Sequence, residues 1–120
     1  MRLLLVHQNF PGQFRDLAPA LADRGHELRA IGCSERASDP RIVVRRYGHE
    51  VPERQGLHQL SGEVDDWIRR GELAGRQAEA YKREGWAPDA ILAHPGWGES
   101  LLLREVFPSS PLLLWPELWL

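Results

Sequence analysis

Short apolar runs alternate along the chain with longer segments whose apolar residues recur every three or four positions. Leu3-Leu4-Leu5-Val6 is continuous and stops at polar His7-Gln8-Asn9 and the breaker pair Pro11-Gly12. That is the pattern of a strand buried on both faces, as parallel sheets covered by helices produce. Phe14, Leu17, Ala18, Leu21 and Ala22 follow at the spacing of one helix face, and Arg24-Gly25 supplies a cation and a glycine for its end. Pro19 fits that helix only in its first turn, so a start near Asp16 is expected, or else a kink. Glu27-Leu28-Arg29-Ala30-Ile31-Gly32 reads as the next strand and completes a βαβ unit.

Residues 34–40 are a polar loop, and Ile42-Val43-Val44 opens a third strand that should end near Tyr47-Gly48. Residues 50–56 are polar and marked by proline and glycine, an exposed connection. Leu60, Val64, Trp67, Gly71, Ala74, Ala78 and Tyr81 step through a long helix with one apolar stripe. The small residues in its middle imply close approach to a neighbour, and Gly71 and Gly75 would allow a bend. Ala90-Ile91-Leu92-Ala93 is a fourth strand, a short helix carries Leu101, Leu102, Leu103 and Val106, and Leu112-Leu113-Leu114-Trp115 is a fifth strand. The expected fold is α/β: an open, mostly parallel Rossmann-like sheet of about five strands with helices on both faces.

A chain of 120 residues makes one domain of ordinary size. Its net charge of −2, with acids and bases interleaved, gives no electrostatic footprint for nucleic acid or an anionic membrane. The single cysteine, Cys33, excludes an internal disulfide and reads as a small apolar group at a strand end. Four apolar residues before His7 are too few for a secretory leader, and no stretch is long enough to span a membrane. A cytoplasmic protein is the expectation. His26, His49 and His58 show no ligand spacing with one another or with Cys33, so no metal is expected.

In an open parallel sheet, ligands bind outside the carboxyl ends of the strands. Two segments lie there. His7-Gln8-Asn9-Phe10-Pro11-Gly12-Gln13 leads onto a helix start, where free N–H groups suit an anion. Gly12 would permit close backbone approach, and Asn9 and Gln13 offer hydrogen bonds to sugar or phosphate oxygens. An ordinary βα turn accounts for the same Pro-Gly pair. The dinucleotide fingerprint G-x-G-x-x-G and the P-loop are both absent. After the fourth strand, His94-Pro95-Gly96-Trp97-Gly98-Glu99 brings together an imidazole, an indole face for a sugar ring and a carboxylate. Glu99 is equally a charge favoured at a helix start.

These two segments carry a resemblance. The opening Met1–Phe14, the continuation Leu17-Ala18-Pro19-Ala20-Leu21-Ala22 with Arg24-Gly25-His26-Glu27, and Pro88–Glu99 together resemble the N-terminal domain of bacterial glycosyltransferases of family 4. The resemblance implies a GT-B enzyme, in which two Rossmann-like domains face each other across a cleft. The N-terminal domain would take mainly the acceptor, and the C-terminal one the nucleotide-sugar donor. Transfer would retain the anomeric configuration, with no metal or other cofactor. His94 matches the family's active-site histidine. Asn9, Gly12, Gln13, Gly96, Trp97 and Glu99 would line the substrate. Many relatives carry two or more glycines after the first strand; here Gly12 stands alone behind Pro11.

The family's paired glutamates belong to the C-terminal domain. Glu27 and Glu35 have the same seven-residue gap, but in the wrong domain, and read as a chance match. Residues 1–120 are therefore expected to be a shortened acceptor-side domain, inactive alone, with the donor-binding domain absent. A stand-alone α/β module acting through a partner chain, or half of a GT-B sugar epimerase, are the other readings the residues allow. The apolar end, Leu112 through Leu120 with Trp115 and Trp119, is expected to pack into the sheet or against a second copy, giving a homodimer.

Overall fold

The computed structural model describes residues 1–117. The apolar run at its far end, Trp119 included, lies outside the described residues. Five strands, β1 (Arg2–Val6), β2 (Glu27–Gly32), β3 (Val43–Arg46), β4 (Ala90–Ala93) and β5 (Leu112–Leu114), form one sheet in the order β3-β2-β1-β4-β5. Every neighbouring pair is parallel. Helices α1 (Leu17–Asp23), α2 (Gln59–Arg83) and α3 (Leu103–Val106) connect them.

The central strand explains why the sheet must be covered on both sides. Leu4 and Val6 point into a core with Ala74, Ala78 and Tyr81 of α2 and Leu103 of α3. Leu3 and Leu5 point into the opposite core with Phe10, Phe14 and Ala18. All four strand residues are buried, each burial stabilising by roughly 1.5–3 kcal/mol. The alternation of period two thus sends one apolar run into two layers.

Local signals resolve as the residue types require. Helix α1 begins at Leu17, so Pro19 sits in its first turn, where the missing N–H has no helical partner to lose. Gly25 ends it with φ +86°, and the bonds Gly25 N–H to Ala22 and His26 N–H to Leu21 close the turn. Helix α2 is unbroken across Gly71 and Gly75. A β-carbon on Gly71 would lie 2.8 Å from the Gly98 carbonyl, so the small residues do serve close approach, to the loop after β4.

Two expectations need correction. The apolar stripe of α2 is buried only from Gly71 onward, while Leu60, Val64 and Trp67 are exposed, the last two lining a groove against the loop after β4. Glu99 does not open a helix; it sits in a turn, and α3 starts at Leu103. Cys33 is half-buried against the α2-side core. Among the described residues no helix is long and apolar enough to cross a membrane.

Candidate functional site

The chain builds β1, β2 and β3 in one direction and then returns to the other side of β1 for β4 and β5. The order therefore reverses between β1 and β4, and the crevice at the carboxyl ends of those two strands is where such sheets bind ligands. Val6 pairs with Ala93 in register, so the next residues, His7 and His94, emerge side by side. His7 N–H donates to Ile31 and His94 N–H to Val6. Both side chains are buried, and their ring centroids are 4.9 Å apart.

The two imidazoles are held in the same way. His7 Nδ1 accepts from the Asn9 N–H at 2.9 Å, and His94 Nδ1 accepts from the Gly96 N–H at 3.2 Å. A backbone N–H can only donate, so both Nδ1 atoms are unprotonated and the proton of each neutral ring is on Nε2. Burial, and next the neighbouring His94, hold the His7 pKa below its ordinary value. His7 is thus a neutral N–H donor at neutral pH.

Each ring is also backed by a glycine. A β-carbon on Gly12, whose φ is +45°, would lie 2.5 Å from His7 Cε1; one on Gly96 would lie 2.5 Å from His94 Cε1. The space beside Gly12 is filled by the His7 ring. Gly12 and Gly96 position imidazoles.

The remaining predicted residues divide. Asn9 Oδ1 accepts from the Ser34 hydroxyl, and Gln13 Nε2 donates to the Trp115 carbonyl at 2.7 Å, so both brace neighbouring loops. Trp97 is 46% exposed and borders a cavity of about 190 Å³ with His94, Gly96, Pro116 and Glu117. Glu99 is fully buried and accepts from Tyr47, with burial raising its pKa. Its side chain lies wholly inside the protein. Gly96 also borders a larger apolar groove of about 410 Å³ with Val64, Trp67, Ile68 and Leu101.

Sequence reasoning missed Glu117, which has one carboxylate oxygen 3.4 Å from His7 Nε2 and the other 3.6 Å from His94 Nε2. It also left His7 out of the candidate residues. The signal for His7 was in the chain: Leu-Leu-Val-His and Ile-Leu-Ala-His each place a histidine directly after an apolar strand. Glu27 is the first residue of β2 and Glu35 follows its far end, so the two lie at opposite ends of the strand, in keeping with a chance spacing.

Residues 24–120 match the family model described as glycosyl transferase family 4 group. The chain belongs to this family. No curated protein matches it. The matched stretch holds His94 and its loop but begins after β1, so the His7–Phe14 segment stands outside it and is tied to the family-matched part by geometry: Val6 against Ala93, and His7 against His94. A glycosyl transferase of family 4 takes a sugar donor and an acceptor.

Proposed function

We propose that this chain is the acceptor-side half of a retaining GT-B glycosyltransferase, with His94 facing the transferred sugar. The observation that carries the proposal is His94 itself, buried at the reversal point of the sheet in a chain of this family, with its Nδ1 held by the Gly96 N–H and its Nε2 on the side of Glu117. Because Nδ1 is engaged by Gly96, His94 acts as a neutral hydrogen-bond donor through Nε2 to an oxygen of the ligand and does not serve as a base there. Trp97 offers an indole face beside it for a sugar ring.

The donor is a nucleotide sugar, held by a second domain across the cleft. Supporting this, the cavity at His94 is about 190 Å³, smaller than the roughly 300 Å³ at which pockets for drug-sized ligands begin. One wall of a cleft is therefore here, and the chain alone is inactive. Its single cysteine suits a reducing compartment, the cytoplasm.

The test is sugar transfer by the protein together with its donor-binding domain, read as nucleotide release across a panel of nucleotide sugars. His94→Ala lowers kcat by about 10²-fold or more, with the unfolding midpoint little changed, and His94→Gln, which keeps an N–H donor, recovers part of the loss. Unaltered kinetics in His94→Ala would remove His94 from the site.

A further inference from the structure

His7, His94 and Glu117 form a cluster whose ligating atoms lie within 4.8 Å of one another. Two imidazoles and a carboxylate are a common metal set, but the hydrogen bonds here argue against that use. A metal at either Nε2 needs a lone pair there, which moves the ring proton to Nδ1. Both Nδ1 atoms already face backbone N–H donors, Asn9 at 2.9 Å and Gly96 at 3.2 Å. Moving the protons would set donor against donor at two buried rings.

What the rings present instead is a pair of N–H donors aimed at one place. Each meets a different oxygen of the same carboxylate, at 3.4 Å for His7 and 3.6 Å for His94, the second just beyond hydrogen-bond reach. The two Nε2 atoms thus face the two oxygens of a single carboxylate. Glu117 is a loose occupant: its side chain is 45% exposed, whereas those of the histidines are 3% and 7% exposed.

We propose that His7 and His94 form a two-donor oxyanion site, and that Glu117 fills it as an internal substitute which a ligand's phosphate or carboxylate group displaces. The proposal uses the position of His94 in the cleft but not the transfer reaction. A ligand entering the site must outcompete Glu117, so removing that side chain raises apparent affinity.

The test is 15N-histidine NMR of the chain, with inorganic phosphate and acetate as probes. Both rings should show the Nε2–H tautomer. Phosphate or acetate should shift both Nε2 signals, and in Glu117→Ala the dissociation constant should fall by about tenfold. The anion that binds more tightly names the oxyanion. His94→Leu should abolish binding and His94→Gln should keep it, with native amide spectra in both. Silence of both rings to both anions at tens of millimolar in a folded Glu117→Ala protein overturns the site. So does uptake of Zn²⁺ through Nε2 with proton release. Failure of the transferase reading would leave these shifts unaltered.

Discussion

Tyr47 donates a 2.9 Å hydrogen bond to Glu99, joining the end of an edge strand to the loop that carries His94. Both side chains are buried, and the second Glu99 oxygen has no partner. Burial, and next the nearby carboxylate, push the Tyr47 pKa up, so the phenol stays a donor throughout the accessible pH range. Tyr47→Phe leaves a buried carboxyl group with neither oxygen paired, and should cost about 1–3 kcal/mol in urea unfolding at neutral pH.

The same pair makes stability depend on pH. Burial raises the Glu99 pKa above its value in the unfolded chain, so the folded state holds this proton more tightly. The stabilisation is complete below the unfolded carboxyl pKa and is lost as pH rises through the raised folded value. Glu99→Gln, a neutral side chain of the same shape, should flatten that decline. Melting curves of the two proteins that stay parallel from acid to neutral pH would show that Glu99 does not titrate in this way.

Gly12 and Gly96 offer two routes to disturbing the histidine pair. Gly12→Ala meets the His7 ring and a left-handed φ together, and should cost about 1–3 kcal/mol. Gly96→Ala meets only the His94 ring, so it should displace the imidazole with less harm to the fold. Its expected signature is a shifted His94 Nε2 resonance and slower transfer in the complete enzyme. A crystal structure of Gly96→Ala with His94 unmoved would contradict this.

The sheet was legible because β1 and β4 are covered on both faces, and a strand so placed must be apolar at every position, as Leu3–Val6 and Ala90–Ala93 are. The end of α1 was legible too, since Gly25 needs its positive φ wherever it lies. The site was less so. That His94 closes a strand can be read locally, but its pairing with His7 depends on β4 returning beside β1 across 87 residues of sequence. Glu117 follows β5, and nothing in its neighbours marks it as a partner for either ring. Glu99 misled for a physical reason: a carboxylate near a helix start has a solvated role by default, and only Tyr47, 52 positions away, draws it inside.

Leu113, Leu114 and Trp115 are exposed along the open edge made by β5. An apolar edge of this kind invites another strand. The described chain should therefore associate with concentration in sedimentation equilibrium, and Leu113→Glu should return it to monomer. A wild-type monomer at every concentration would exclude pairing through β5.

Two glycines on α2 should respond to alanine with opposite signs. Both lie in the same helix, where alanine is intrinsically better than glycine by about 1 kcal/mol. At Gly62 the added carbon meets only the Arg54 side chain at 3.4 Å, an ordinary contact with a flexible group. Gly62→Ala should therefore stabilise by about 0.5–1 kcal/mol. At Gly71 the carbon would lie 2.8 Å from the Gly98 carbonyl and 2.9 Å from Leu101 Cβ. Backbone there cannot yield without moving the loop that runs back to His94, so steric cost exceeds the helical gain. Gly71→Ala should destabilise by about 1–3 kcal/mol and disturb the His94 ring signals, which Gly62→Ala should leave in place. Denaturation midpoints and histidine spectra of the two variants decide the matter. Stabilisation by both would mean that α2 does not press on the loop after β4.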